Sequence, residues 1–169
     1  MKGIFRAVLL AAAMALGACA STPQQTQQRA EVLQAPPLRA SYVRIKLIDL
    51  PPGPPMPEQM AYFLEMRMRE RLYRDGIFFP GQEGQDLTMR YSVVRYDPGD
   101  RSAREHLLGK DGTGTIVVEA IYIDAGGATV ARIRSTGVVT GAPGQDDTMH
   151  RAVQDAVDRI FDTMLELFQ

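Results

Sequence analysis

Between Asp86 and Gly141 the chain carries three strand-like runs separated by a Gly/Asp-rich loop and a tight turn, and this stretch constrains the fold more than any other. From Asp86 to Val93 apolar and polar residues alternate with period two, which sends Leu87, Met89, Tyr91 and Val93 to one face of a half-buried strand. Tyr96-Asp97-Pro98-Gly99-Asp100 is expected to end it, because proline has no N–H for a ladder and glycine supplies turn geometry. A polar loop runs on to Gly114. Thr115 to Asp124 is then almost continuously apolar and β-branched, the pattern of a strand in the middle of a sheet. Asp124-Ala125-Gly126-Gly127 reads as a hairpin turn, and Ala128 to Val139 as the returning partner strand.

The flanking segments supply one more strand and two helices. Ser41 to Asp49 alternates again, with Val43, Ile45 and Leu47 on one side and Arg44 and Lys46 on the other. Pro51-Pro52-Gly53-Pro54-Pro55 interrupts regular pairing and reads as a stiff connector. Pro57 and Glu58 suit the first turn of a helix whose Met60, Ala61, Leu64, Met68 and Leu72 share one face, with Gly76 as its stop. The last helix opens at Asp146-Asp147-Thr148. Along it Met149, Val153, Ala156, Ile160, Met164 and Leu167 form a continuous apolar stripe, with Arg151, Asp155, Asp158 and Asp162 on the other face. The order β-α-β-β-β-α implies an α+β fold: a mixed, mostly antiparallel sheet of about four strands with two helices packed on one face.

Several of these residues also carry a family resemblance: Tyr96-Asp97-Pro98-Gly99, Arg104, the glycines Gly109, Gly112 and Gly114, the strand ending at Asp124, and Gly126-Gly127. Over roughly residues 40 to 168 the chain resembles the uncharacterised bacterial lipoproteins of domain-of-unknown-function family 4410. The resemblance implies a fold and an envelope location; that family has no established reaction to transfer.

The N-terminus is read from its own residues. Met1 to Arg6 is a short basic segment and Ala7 to Leu16 an apolar run too short to span a bilayer, the composition of a secretory signal peptide. It runs into Leu16-Gly17-Ala18-Cys19, which looks like a bacterial lipobox, where the signal is cut ahead of the cysteine and the thiol takes a diacylglycerol. Residues 1–18 are therefore expected to be a lipoprotein signal peptide and Cys19 the lipidation site. Acyl chains such as palmitate would hold the protein on a membrane at about 0.8 kcal/mol per buried CH₂. Ala20, where lipoproteins retained at the inner membrane use aspartate, points to the cell outer membrane with the domain facing the periplasm. From Ser21 to Leu38 the Gln-, Thr-, Ser- and Pro-rich chain reads as a flexible tether, with a short helix over Arg29 to Gln34 as the alternative. Residues 19–38 are thus lipidated cysteine and tether, and 39–169 a single α+β domain, within what 169 residues at 45% hydrophobic content can build.

Little here points to catalysis. Removing Lys2 and Arg6 with the leader leaves 17 basic against 20 acidic side chains, a balance that does not suggest nucleic-acid binding. A lone cysteine excludes an internal disulfide or a thiolate metal cluster, and His106 and His150 belong to no ligand motif, so no metal or cofactor is expected. Gly109 to Gly114 lacks the Gly-Lys-Ser/Thr ending and following helix of a phosphate loop, and Asp97, Asp100 and Asp111 match no calcium-loop spacing.

Two functional expectations remain. The first is an outer-membrane-anchored periplasmic lipoprotein, not an enzyme, serving as a binding or accessory module for an envelope protein or glycan. Period two sends Arg44, Lys46, Arg90, Arg132 and Arg134 to the sheet face turned away from the helices, a surface for an anionic partner with Val117, Ile121 and Ile123 at its centre. The competing reading of that face is a solvated surface with acids such as Glu119 interspersed. The second expectation is an envelope enzyme using the Asp97–Gly114 loop, with Asp100, Arg104, His106 and Lys110 as acid, base and anion-clamp groups.

Overall fold

A computed structural model describes residues 30–35, 42, 44–49, 53–74, 78–80, 86–100, 112–139 and 148–168. Along the chain come β1 (Glu31–Gln34), β2 (Arg44–Asp49), α1 (Glu58–Arg74), β3 (Phe79–Pro80), β4 (Leu87–Asp97), β5 (Gly114–Asp124), β6 (Thr129–Val139) and α2 (Met149–Phe168). The fold is α+β. One mixed sheet, ordered β1-β6-β5-β4-β2-β3, carries both helices on one side around a single core. In the antiparallel β4-β5-β6 meander a tight turn joins β5 to β6 and the longer loop after Asp97 joins β4 to β5, whereas β2 lies parallel to β4 because α1 carries the chain across between them.

Two strands lie beyond the expected four. Glu31–Gln34 is neither tether nor helix: it pairs antiparallel with β6, Glu31 opposite Arg134, Val32 opposite Ile133 and Gln34 opposite Arg132. An open β6 edge presents a row of unpaired N–H and C=O groups, and an extended segment that satisfies them is captured whatever its side chains. Its side chains are exposed throughout, so no buried periodicity marked it in the sequence. At the other edge Phe79–Pro80 makes a two-residue parallel pairing with β2, where proline's missing N–H faces no further strand.

β4 also runs further than the turn signal implied. Val93 pairs with Val118 and Arg95 with Val117, which leaves Val94 as an extra residue, bulged and exposed. Beyond the bulge Tyr96 lies opposite the buried Ile116, so the strand resumes and ends only after Asp97. At the β5–β6 turn Asp124 closes the chain on itself: its carboxylate accepts from the Ala128 N–H at 2.8 Å and its carbonyl from the Gly127 N–H at 3.0 Å.

Ile45, Leu47, Leu87, Met89, Tyr91 and Val93 face the helices as alternation requires, while Val43 lies outside the described residues. α1 buries Met60, Leu64, Met68 and Leu72; Ala61 is exposed, because at the first turn it lies on the rim of a cleft and not over the sheet. α2 buries Val153, Ala156, Ile160 and Met164, and adds Ala152, Val157 and Phe161, a wide stripe because it packs on both the sheet and α1. Thr148 caps it, its hydroxyl accepting from the Arg151 N–H at 3.4 Å. Gly76, Asp146 and Asp147 lie outside the described residues. Asp158 and Asp162 do not simply face solvent: Arg67 reaches Asp158 at 3.2 Å, and Arg71 reaches Asp158 at 3.3 Å and Asp162 at 2.7 Å. These ion pairs lie across the α1–α2 seam, where the Arg71 guanidinium also sits 5.9 Å from the Phe161 ring centroid.

Candidate functional site: the uncovered face of the sheet

With both helices on one side, the register of the strands orders the other side into rows. One row reads Lys46, Thr88, Ile123 and Thr129; the next Ile48, Arg90, Ile121, Arg132 and Gln34; the third Ser92, Glu119, Arg134 and Glu31. Arg44 extends the face beside β3. All five cations named from the sequence are thus brought together on one surface. Lys46, Arg44 and Arg90 are exposed, Arg132 and Arg134 half-buried, and Ile48, Val117, Ile121 and Ile123 half-buried between them. Two-sided strands have this composition when one face is the core and the other carries no helix.

The electrostatics divide that surface in two. Glu119 is only 8% exposed although it points away from the core. Arg134 covers it, with guanidinium nitrogens at 2.6 and 3.1 Å from one carboxylate oxygen, and Arg132 approaches the other oxygen at 3.9 Å. Glu31 stands opposite Arg134 from β1, so the β6 side of the face is largely neutralised. Among the described residues Lys46 and Arg90 have no carboxylate within ion-pair distance, and the positive potential is therefore concentrated on the β2–β4 side. The sequence exposed the cations through parity alone. It did not expose Glu31 or Gln34, because their place depends on a strand pairing with no local signature.

The loop residues fare differently. Asp100 is exposed; Arg104, His106 and Lys110 lie outside the described residues, as does Cys19. The base of the loop is a built turn: Asp97 accepts from the Gly99 N–H at 3.0 Å and from Arg95 at 3.3 Å. These two donors, the backbone one first, hold the Asp97 carboxyl below the usual carboxylate range. Gly99 takes a φ of 64°, and a Cβ there would meet the Gly112 carbonyl oxygen at 2.2 Å, so only glycine lets the two ends of the loop touch. Asp97 is thereby committed to the turn. His150 is exposed and lies edge-on to Phe63 with centroids 4.8 Å apart, a packing role.

No family model and no curated protein matches the chain. Solved structures of PelC share its architecture. A point variant of the PelC dodecamer from Paraburkholderia phytofirmans superposes with a TM-score of 0.55 at 12% identity, over 78% of this chain and 94% of that one. The PelC dodecamer in a second crystal form gives 0.53 at 14% identity, over 78% and 92%. The hypothetical protein CT253 from Chlamydia trachomatis gives 0.48 at 9% identity, over 75% and 95%. At such identities the likeness to PelC establishes the fold alone.

Proposed function

We propose that the chain is an outer-membrane lipoprotein of the domain-of-unknown-function 4410 type, anchored through Cys19, whose domain is a non-catalytic binding or accessory module for an anionic envelope partner, protein or glycan. The observation that carries the reading is the sheet face turned away from both helices, where among the described residues Lys46, Arg44 and Arg90 have no carboxylate within ion-pair distance and lie beside half-buried Ile48, Ile121 and Ile123. Unpaired cations raise encounter rates with an anion, and the aliphatic side chains between them supply contact area that a purely solvated face would not need.

The test uses the exposed pair and leaves the Glu119 pair intact. Lys46→Ser/Arg90→Ser is expected to reduce recovery of the crosslinked partner from solubilised envelopes, and recovery by the wild type to fall with added salt. Unchanged, salt-insensitive recovery by the folded double variant removes this face. The anchor is tested separately, since Cys19→Ser is expected to abolish metabolic labelling with a fatty acid.

A second reading rests on β1, where Val32 and Leu33 are 41% and 38% exposed on an edge strand. The same fold occurs as a dodecamer in PelC. By that analogy this edge would meet a second copy of the chain, in which case sedimentation of the wild type shows an oligomer that Val32→Asp dissociates.

A further inference from the structure

Asp49 and Tyr91 are register partners at the end of β2 and β4, on the side of the sheet that faces the helices. Together with Pro54, Met56, Ala61 and Leu64 they line a cleft of about 80 Å³ at the start of α1, room for a few water-sized groups at roughly 30 Å³ each. The cleft lies on the opposite side of the sheet from the basic face. Its walls are apolar, and its polar groups are few. Tyr91 is 2% exposed, and among the described residues its buried hydroxyl has no hydrogen-bond partner, an arrangement that folded proteins ordinarily avoid.

Among the described residues, the charge at the cleft that lacks an ion-pair partner is a carboxylate. Glu65 on α1 is held by Arg69 at 2.9 Å, whereas Asp49 has no cation within ion-pair distance among the described residues. Desolvation and then the Glu65 carboxylate push the Asp49 carboxyl up from its ordinary value. The Tyr91 hydroxyl is pushed up by desolvation first, then by Asp49 and Glu65, with Arg69 opposing. An anion entering here would meet an uncompensated carboxylate, and a neutral alcohol would leave that carboxylate unmatched.

We propose that this cleft binds a primary alkylammonium group, its short aliphatic stem against Met56, Ala61 and Leu64 and its N–H groups donating to the Asp49 carboxylate and the Tyr91 hydroxyl oxygen. The chemistry fits on three counts. An ammonium has three donors and no acceptor, and the cleft offers acceptors. Its point charge sits at the end of an unbranched stem, whereas a guanidinium is a broad planar fork. It also supplies the opposite charge that Asp49 lacks.

The experiment is an NMR titration of the full chain with n-butylammonium, with n-butanol and butyrate as comparators. Saturable shifts centred on Asp49, Leu64 and Tyr91, with affinity about tenfold or more above that for n-butanol, are expected, as for a charge-assisted hydrogen bond. Asp49→Asn should remove that preference, and Tyr91→Phe should weaken binding several-fold while circular dichroism shows an unchanged fold. Equal affinity for n-butanol, no shifts at these residues, or an Asp49→Asn form that binds like the wild type would each overturn the proposal. Nα-acetyl-lysine amide separates the sources: saturation by it as well assigns the site to a lysine side chain, and binding of n-butylammonium alone assigns it to a free amine.

Discussion

Gly137 on β6 lies directly beneath Ala152 on α2, so close that a Cβ on the glycine would come within 1.8 Å of the Ala152 carbonyl oxygen. The contact sets the distance between the sheet and the helix, because backbone meets backbone there with no side chain to yield. Gly137→Ala must push α2 outward along its whole buried stripe. We expect a loss of about 3 kcal/mol or more, at or beyond the upper end for overpacked cores, read as a lowered denaturant midpoint with an unchanged slope.

Arg134 and Glu119 give a second prediction. The carboxylate is buried under a guanidinium that is itself 39% exposed, so the pair lies between a surface bridge and an interior one. Removing the cation leaves Glu119 without its main partner, and Arg134→Ala is expected to cost about 1–2 kcal/mol after allowing for solvent screening. In the Glu119→Gln background the same substitution should cost less. A double-mutant cycle that finds no coupling would contradict the geometry.

Ile160 is fully buried at the middle of α2. Ile160→Ala deletes methyl and methylene groups from a site held between sheet and helix, with an expected cost of about 2–5 kcal/mol. Chemical denaturation measures it directly.

The Asp97 turn predicts a dependence on acid. A folded-state carboxyl value below the ordinary one means stability that is fully present above the unfolded value of about 3.9 and lost as pH falls through the folded value. The difference in melting temperature between wild type and Asp97→Ala should therefore stay constant from pH 7 to 5 and shrink below pH 4.

Asp49 has the opposite sign. Its carboxyl is raised, so the protonated form suits the fold better, and stability is lost as pH rises through the folded value. Asp49→Asn should raise the melting temperature at neutral pH, with the gain disappearing below about pH 4. The same substitution is expected to abolish alkylammonium selectivity. A residue that costs stability in the empty protein and gains affinity in the bound one is the pattern of a functional position.

Which residues face the core was legible without a structure wherever a local period reports it. Leu87, Met89, Tyr91 and Val93 alternate and are buried; Val153, Ala156, Ile160 and Met164 recur at helical spacing and are buried. The basic face was legible for the same reason, because parity that sends Ile45 and Leu47 inward sends Arg44 and Lys46 outward. Where parity was broken the reading stopped early, as at the Val94 bulge, since an inserted residue resets the alternation without changing composition.

What the chain's own pattern determined, then, is the element order, the two apolar helix stripes and the side of each strand that is wet, all of them properties of neighbours in sequence. The β5–β6 hairpin aside, the tertiary structure alone decided which strands lie side by side. That choice placed Glu31 opposite Arg134 and set Asp49 beside Tyr91. Each of these pairs joins residues from different strands, and their energies come from burial and charge at short distance, which no local period records.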